Sequence, residues 1–389
     1  MIQFQYEGSL VPVYSWTKEI EATAKEQIEH LAKLPFAYHH IAVMPDCHSG
    51  YGMPIGGVLA ADNVIVPNAV GVDIGCGMIA VKTTLRDIAE EQIKQVIGKA
   101  RAVIPVGFNH HKKKQENPVF DLVPDVEIIH IELESARHQI GTLGSGNHFV
   151  EIQKGDDGFV WLMIHSGSRN IGKKVCDHYN QIAVGLNSRW KTPVPAQWEL
   201  AYLPVDTPQG NEYLRAMEFC LRFAKANRAL MMQRLKEIVF EVVGGAQQGE
   251  EICTHHNYAA WEEHYGKRVL VHRKGAIRMF KGDVGIIPGS MGTPSYIVEG
   301  LGNPEAFMSA SHGAGRKMSR AEADKTISEE QANKAMAGVV FGRWSRDRKG
   351  RLDVSECPLA YKDIEEVIQQ ELDLIKTLVK LQPLGVLKG

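Results

Sequence analysis

The sequence predicts an α+β fold, a single large intertwined domain over residues 1–389 with mixed sheets and surrounding helices. Apolar residues recur at helical spacing in several long stretches, while elsewhere short Val- and Ile-rich runs are bounded by Gly and Pro. No linker rich in Pro, Gly or Ser separates two halves, and no fixed-period repeat is visible. The helical and extended segments are therefore expected to fold together.

Each element is predicted from its pattern. Helices are expected at about 17–34, 87–99, 172–184, 211–243 and 363–381. Strands are expected within the Gly- and Pro-interrupted stretch 41–77 and at 79–83, 148–153, 159–165, 268–273 and 284–288. The segment 109–116, which contains HHKKKQ, is expected to be a polar basic loop.

Composition narrows the class of protein. With 44% hydrophobic and 23% charged residues the chain has globular composition, which argues against a disordered or fibrous protein. A formal net charge of -2 means that any nucleic-acid binding must use local patches. No signal peptide or long apolar run is recognisable, so a cytoplasmic protein without membrane contact is expected. The 6 cysteines lack a CxxC pair and are expected to stay reduced.

Four strings contain residue types that bind metal ions. GVDIGCGM supplies Asp73 and Cys76, GSGNHFVE supplies His148, IHSGSRNIG supplies His165, and CTHHNY supplies a histidine pair that is expected to follow a helix. From ligand type alone Zn²⁺ is the first candidate, with Mn²⁺ and Fe²⁺ left open by the carboxylate. Each string also has a structural interpretation, such as a glycine turn around a buried thiol, and spacing alone does not prove that they converge.

A fifth string, SHGAGRKMSR, indicates phosphate chemistry. His312 is flanked by small residues and followed by Arg316 and Arg320, so its imidazole could act on a phosphate as nucleophile or as donor. Upstream, PGSMGTPS at 288–295 offers a Gly/Ser loop whose amides could bind phosphate or sugar. The chain has neither a Walker loop nor a strand-linked GxGxxG.

Taken together, these strings resemble the RtcB family of RNA ligases over nearly the whole chain. The motifs that occur in the family's order are PDCHSGYGMPIGG, VGVDIGCG, GSGNHFVE, HSGSRNIG, HHNY, HRKGA, PGSMGTPSY, SHGAGR, AYKD and the terminal KG. The resemblance implies an enzyme that joins RNA ends carrying a 2′,3′-cyclic phosphate or 3′-phosphate to 5′-hydroxyl ends, using GTP and Mn²⁺. It also implies an α+β body of the RtcB type.

The resemblance assigns roles residue by residue. It implies that His312 becomes guanylylated and that two manganese ions share Cys76. In that assignment His165 and His256 complete one metal site, and Asp73 and His148 the other.

The nucleotide contacts are also implied by the resemblance, whereas the RNA contacts are inferred from the chemistry of the basic side chains. Glu151 and Lys388 would select guanine, and the remaining nucleotide contacts would come from Asn147, Phe149, Ser290, Ser295, Ala314, Gly315 and Tyr361. Arg169, Arg316 and Arg320 are candidates for binding RNA phosphates. The basic stretch RWSRDRKGR at 343–351 could follow an RNA backbone or could be a solvated loop.

Two alternatives to a ligase stay open. The same metal ligands would serve a metal-dependent phosphoesterase that acts on RNA 3′ ends without ligation, and the basic stretches would suit a non-catalytic RNA-binding protein. Cys47 in PDCH departs from the aliphatic residue of many members, and a small packed thiol is the favoured interpretation. An activating protein of the archease type is a possible partner.

Overall fold

The computed structural model describes residues 1–244, 248–346, 350 and 352–389. Its α-helices are α1 (Ala22–Ala32), α2 (Pro67–Val70), α3 (Glu90–Val103), α4 (Glu127–Gln139), α5 (Ile171–Trp190), α6 (Pro208–Val243), α7 (Arg320–Thr326), α8 (Glu329–Ala335) and α9 (Ile364–Gln370). Its strands are β1 (Ile2–Phe4), β2 (Val13–Ser15), β3 (Ala37–His48), β4 (Ile55–Ala61), β5 (Val64–Ile65), β6 (Gly77–Thr83), β7 (Phe149–Gly155), β8 (Val160–Ser166), β9 (Leu203–Pro204), β10 (Gln248–His255), β11 (Asn257–His264), β12 (Lys267–Lys274), β13 (Ala276–Arg278), β14 (Val284–Ile287), β15 (Ser295–Gly300), β16 (Ser309–Ser311), β17 (Ser345–Arg346), β18 (Leu352–Asp353) and β19 (Ile375–Lys388).

Two large sheets organise the molecule. The first has the strand order β1-β2-β3-β4-β12-β11 and the second β10-β6-β8-β7-β19-β15-β14. The chain moves from β4 in the first sheet to β6 in the second, and returns to the first at β11 and β12. This interleaving confirms the predicted α+β class with intertwined elements.

Helix α6 is the main element covering the second sheet. Its 36 residues begin after Thr207, whose hydroxyl accepts a hydrogen bond from the Gly210 N–H, with Pro208 in the first turn. The apolar side chains that it buries recur at three- and four-residue spacing, and it packs against β8 and α3. Among the described residues, no helix combines the length and the apolar character that crossing a membrane requires.

The N-terminal helix is shorter than the predicted 17–34. Helix α1 begins at Ala22 because the preceding residues form local turns. The Ser15 hydroxyl donates to the Thr17 carbonyl, and the Thr17 hydroxyl accepts from the Glu19 N–H. Such side-chain to backbone hydrogen bonds compete with helix formation.

The predicted helix at 363–381 is wrong over its second half. Helix α9 ends at Gln370, and the chain then enters the 14-residue strand β19, which pairs with β15 on one side and β7 on the other. Pro383 and Gly385 lie at a register shift in that strand. Pairing on both sides stabilises the extended conformation more than the helical spacing of a few apolar residues stabilises a helix.

Two further predictions need correction or delimitation. The histidine pair of CTHHNY follows a strand, not a helix, because β10 intervenes after α6 and places His255 at its end and His256 just before β11. The basic stretch 343–351 lies partly outside the described residues, which exclude 347–349 and 351.

Candidate active site

Three neighbouring strands bring the predicted metal ligands together. Cys76 immediately precedes β6, His165 lies near the end of β8, and His148 immediately precedes β7. The antiparallel register pairs Met78 with His165 and His165 with Phe149. The three side chains therefore meet at the same end of the three neighbouring strands. Cys76 Sγ lies 3.3 Å from the Nε2 atoms of both His148 and His165.

Backbone carbonyls orient both histidine rings. His148 Nδ1 lies 3.0 Å from the Leu143 oxygen, and His165 Nδ1 lies 3.2 Å from the Asn147 oxygen. A carbonyl can only accept, so each Nδ1 is the protonated nitrogen and each Nε2 keeps a lone pair towards Cys76. This is the arrangement that imidazole metal ligands need.

Asp73 adds a carboxylate to the cluster. One carboxylate oxygen, Oδ2, lies 3.4 Å from His148 Nε2, and the other accepts from the N–H and the hydroxyl of Ser168, each at 3.0 Å. Burial alone would raise the pKa of Asp73, but the nearby His148 imidazole and the hydrogen bonds from Ser168 bring the pKa below its usual range. The carboxylate is therefore ionised at neutral pH.

His256 joins the cluster from the junction between β10 and β11. Its N–H donates to the Cys76 carbonyl at 2.9 Å, and its ring centroid lies 5.2 Å from that of His165. Burial lowers the pKa of both imidazoles well below the usual range. Both rings are therefore neutral, and each can offer a nitrogen lone pair to a metal ion. His256 Nδ1 is buried and has no hydrogen-bond partner among the described residues.

These residues fit a metal ion. Burial, reinforced by Asp73, raises the pKa of the Cys76 thiol, whereas a bound cation would favour the thiolate. The set of one thiolate, one carboxylate and neutral imidazoles, one of them with an unpartnered nitrogen, is a donor set for a divalent transition metal.

Arg228, which the sequence analysis did not identify, supports the cluster from α6. It is fully buried and donates through Nη1 to the carbonyls of Gly75 and Ser166 at 2.9 and 2.8 Å. Its Nη2 lies 3.0 Å from His255 Nδ1, so the first histidine of the pair contacts Arg228, whereas His256 lies in the cluster. A charged residue on the apolar face of a predicted helix was the available signal.

His312 lies directly beside the cluster, one residue after β16. Its ring centroid is 4.7 Å from that of His256. Its Nδ1 lies 2.6 Å from Asp46 Oδ2, and its backbone N–H donates to the same oxygen at 3.1 Å. With Nδ1 engaged, Nε2 is the nitrogen that can meet a ligand.

Asp46 is the functional residue that the sequence analysis missed. It is fully buried in β3, where pairing with β4 is irregular between Val43 and His48. Such irregularities re-aim side chains. Gly315 allows the close approach, because a Cβ there would lie 2.3 Å from the Asp46 carbonyl oxygen and its φ is +71°. Asp46 stands in the string PDCH, in which the sequence analysis singles out only Cys47.

A cavity of about 160 Å³ opens in front of His312. Its lining includes eight of the ten residues predicted to contact the nucleotide, namely Asn147, Phe149, Ser290, His312, Ala314, Gly315, Tyr361 and Lys388. A larger groove of about 970 Å³ lies between α6 and β11, and none of the predicted site residues is among the described residues that line it. The residues predicted to bind the nucleotide therefore gather at the smaller cavity.

Comparison with known proteins decides the family. The sequence matches the family described as tRNA-splicing ligase RtcB over residues 27–123 and 122–389. It is 39% identical to the RNA-splicing ligase RtcB of Escherichia coli K12, covering 97% of both chains. It is 32% identical to the tRNA-splicing ligase RtcB of Thermococcus kodakarensis, covering 94% of this chain and 90% of that one. The chain belongs to the RtcB family. The predicted resemblance is confirmed.

In this RtcB-family chain the two remaining nucleotide residues, Glu151 and Ser295, are buried next to the cavity. Gln153 Nε2 donates to Glu151 Oε2 at 2.7 Å and to Ser295 Oγ at 3.2 Å. Burial raises the pKa of Glu151 to about 8, although Lys388 opposes the shift. Glu151 Oε1 has no hydrogen-bond partner among the described residues, so it can accept from a ligand.

Glu356, also missed, connects the basic residues of the RtcB-family cavity. Its carboxylate lies 3.3 Å from Arg316 Nη1, 2.9 Å from Arg320 Nε and 3.7 Å from Lys388 Nζ. It also accepts from the Tyr361 hydroxyl. Burial would raise the pKa of Glu356, but Lys388 and Arg320 bring it below its ordinary value.

The three arginines predicted to bind RNA phosphates differ in how many hydrogen bonds their guanidinium groups already make within the protein. Arg316 donates from Nε and Nη2 to the carbonyls of Met318 and Ser355, so protein partners occupy most of its guanidinium. Arg169 donates to the Thr142 hydroxyl and the Gly107 carbonyl, outside the cavity lining. The Arg320 side chain is 56% exposed and is the freest of the three. These phosphate contacts stay predictions.

Cys47 lies in the apolar core. It is 2% exposed and packs in the cluster that includes Val43 and Met53. Burial raises the pKa of its thiol to about 12, so the thiolate is disfavoured. The position agrees with the interpretation as a packed thiol.

Proposed function

We propose that the chain is a GTP- and Mn²⁺-dependent RNA ligase that works through a covalent histidine-GMP intermediate. It joins RNA ends carrying a 2′,3′-cyclic phosphate or 3′-phosphate to 5′-hydroxyl ends. The observation that carries the proposal is the position of His312, which is held by Asp46 and lies against His256 of the metal-ligand cluster.

The residues that would hold two manganese ions are Asp73, Cys76, His148, His165 and His256. Bound there, Mn²⁺ would supply Lewis-acid polarisation of phosphoryl oxygens. The protein's own contribution is to fix the donors: Leu143 and Asn147 orient two imidazoles, and Ser168 holds the carboxylate.

His312 is the proposed nucleophile. Its Nε2 lone pair attacks the α-phosphorus of GTP, a P–N bond forms, the bond to the β-phosphate oxygen breaks, and pyrophosphate leaves with that electron pair. The imidazole becomes positively charged because Nδ1 keeps its proton. Asp46, 2.6 Å from Nδ1, stabilises this charge and fixes the reactive tautomer.

The later steps move GMP onto RNA. Water opens a cyclic phosphate to a 3′-phosphate, whose oxygen then attacks the phosphorus on His312. The P–N bond breaks and its electron pair returns to Nε2. The 5′-hydroxyl oxygen next attacks the activated 3′-phosphate, a phosphodiester forms, and GMP leaves. His312 is regenerated.

Guanine selectivity is proposed for Glu151 and Lys388. The unpartnered Oε1 of Glu151 can accept from guanine N1–H or its exocyclic amine, and Lys388 on the neighbouring strand can donate to O6. Adenine has an unprotonated N1 and an amine instead of O6, so both contacts would be lost.

The RNA partner is proposed from the relatives' names, which are RNA-splicing and tRNA-splicing ligases. A role in tRNA splicing or RNA repair, a cytoplasmic location and the need for an archease-type activator stay predictions.

The test is end joining of an RNA with a 2′,3′-cyclic phosphate to a 5′-hydroxyl partner, with nucleotide and metal varied. We expect a joined product with GTP and Mn²⁺, and intact-mass measurement of the protein should find one GMP adduct. His312→Ala should abolish both. His130→Ala is the matched control, because that imidazole is 51% exposed and contacts Asp125 on the surface.

Three outcomes would contradict the proposal. A full adduct on His312→Ala would exclude this nucleophile. Phosphate release without GTP and without joined product would indicate the phosphoesterase. A product that requires ATP would overturn the roles of Glu151 and Lys388.

A further inference from the structure

The loop at residues 105–115, here called the Phe108 loop, exposes an aromatic ring among basic side chains. Phe108 is 91% exposed. His110, Lys112 and Lys113 are exposed on the same loop, and within the described part of the chain neither lysine has an ion-pair partner. The loop therefore presents one exposed aromatic ring together with exposed lysines.

The loop is held in place at its basic end. The His111 N–H donates to the His138 carbonyl at 3.0 Å, and the Gln115 N–H donates to the Arg137 carbonyl at 2.8 Å. Arg234 from α6 reaches both residues, with Nη1 3.0 Å from His111 Nε2 and Nη2 2.8 Å from Gln115 Oε1. The exposed side chains are therefore carried by an anchored backbone.

The other end of the loop is bonded to the active site. The Leu143 N–H donates to the Pro105 carbonyl at 2.9 Å, and the Gly107 N–H donates to the Gly144 carbonyl at 2.7 Å. The carbonyl of the same residue, Leu143, orients the proposed metal ligand His148. Phe108 thus directly follows residues whose backbone is hydrogen-bonded to the segment before His148.

Arg169 strengthens this connection. Its Nη2 donates to the Gly107 carbonyl at 2.9 Å, while its Nε donates to the Thr142 hydroxyl at 2.7 Å. A Cβ on Gly144 would lie 2.4 Å from both Arg169 Nη1 and His148 Nδ1. The guanidinium therefore fills the space between the Phe108 loop and the cluster.

We propose that the Phe108 loop is a docking platform for single-stranded RNA, on which one base stacks on Phe108 while Lys112 and Lys113 contact backbone phosphates. The platform would lead one RNA strand towards His312, so it rests on the proposed ligase function. A stacking ring next to unpaired cations is the pattern of sequence-tolerant single-strand binding. A protein partner would need a wider apolar area than one ring among lysines provides.

The direct test is the affinity of the full chain for a fluorescent single-stranded RNA with a 3′-phosphate, measured by anisotropy with Mn²⁺ and without GTP. Phe108→Ala is expected to weaken binding roughly 5- to 150-fold, the usual range for loss of one stacked base. Phe108→Trp should retain affinity, because any π-face can stack. Phe108→Leu should behave like alanine; if it binds as tightly as the parent, apolar contact and not stacking is responsible.

The lysines are tested through salt dependence. Lys112→Glu with Lys113→Glu should make the slope of log affinity against log salt shallower by about 0.7 per lost phosphate contact. Matched controls are Phe240→Ala, an aromatic 58% exposed on α6, and Lys18→Glu with Lys25→Glu, both exposed near α1. These should leave affinity and slope unchanged.

Covalent guanylylation separates the two proposals. The GMP adduct on His312 forms without RNA, so every loop variant should form it at the parental rate. Failure of the parent to form the adduct or to join ends would refute the ligase. A parent that ligates, together with Phe108→Ala that binds RNA as tightly as the parent, would refute the docking platform alone.

Discussion

At the scale of single residues, a second buried carboxyl lies behind His312. Glu371 is fully buried, and its carboxyl oxygen accepts from the Ser311 N–H at 2.9 Å, one residue before His312. Burial raises the pKa of Glu371 to about 8, and Asp46 and Asp373 add to the rise. A protonated Glu371 avoids placing a second buried negative charge beside Asp46.

Glu371→Gln is expected to stabilise the protein progressively as the pH rises. In the parent the unfolded carboxyl loses its proton near pH 4.5, whereas the folded one keeps it until about pH 8. Between these values the unfolded state binds fewer protons, so the parent's free energy of unfolding falls by about 1.4 kcal/mol per pH unit. Glutamine does not titrate, so its advantage should grow by about 2–4 kcal/mol between about pH 5 and pH 8.

Denaturant unfolding of parent and variant at those two pH values measures this difference. Glu366→Gln, at an exposed position of the helix α9 that ends one residue before Glu371, is the control and should show no such advantage. A constant difference between parent and Glu371→Gln would mean that the carboxyl is ionised throughout.

The sequence identified the candidate metal ligands better than the residues that hold the site in place. Asp73, Cys76, His148, His165 and His256 stand in recognisable strings, and the structure brings them together. Asp46 and Glu356 were missed because their roles arise from contacts between distant segments. The Asp46 to His312 contact, for example, joins residues 266 positions apart. Local pattern carries no information on such a pairing.

At the scale of elements, β19 is where pattern and structure disagree most. Residues 375–388 contain apolar side chains compatible with either period, and only the neighbours β7 and β15 decide for a strand. The helix α6 was predicted nearly to its bounds, and α5 was predicted at its start but continues to Trp190, beyond the predicted end at 184. The strand has a direct consequence for the site, since its register places Lys388 opposite Phe149.

Lys388→Ala should leave the fold intact and impair guanylylation. The ammonium of Lys388 faces the cavity between Glu151 and Glu356, and the substitution keeps the backbone pairing of β19 with β7. Loss of one charged donor to guanine should weaken GTP use by roughly 10- to 100-fold. The measurement is the rate of GMP adduct formation against GTP concentration.

Lys376→Ala is the matched control for this prediction, because Lys376 is exposed on the same strand and far along it from the cavity. Its adduct rate should equal the parental rate. Equal rates for Lys388→Ala and the parent would remove Lys388 from the nucleotide site, and an unfolded Lys388→Ala would show that the strand end is structural.

At the scale of the whole molecule, the site lies where the two large sheets meet. The cluster is built at the ends of the strands β6, β7 and β8 of the second sheet, whereas Asp46 comes from β3 of the first sheet. His312 contacts both, through Asp46 and through His256. An ion bound by the cluster therefore ties together segments that are distant in the chain, and its binding energy contributes to the stability of the folded state.

Manganese is consequently expected to raise the melting temperature of the parent, and Cys76→Ala should lose this rise. An ion that binds only the folded state at 100 times its dissociation constant adds about 2.7 kcal/mol, which corresponds to several degrees in a chain of this size. Cys47→Ala is the matched control: it also removes a buried thiol, but one packed in an apolar cluster that contains none of the proposed metal ligands. Its melting temperature can fall because of the cavity, yet the difference with and without Mn²⁺ should equal the parental one.

Thermal unfolding of all three proteins, with and without Mn²⁺ after treatment with a chelator, measures these differences. A full manganese shift in Cys76→Ala would place the ion elsewhere in the protein, and loss of the shift in Cys47→Ala would show that any buried thiol substitution disturbs the cluster.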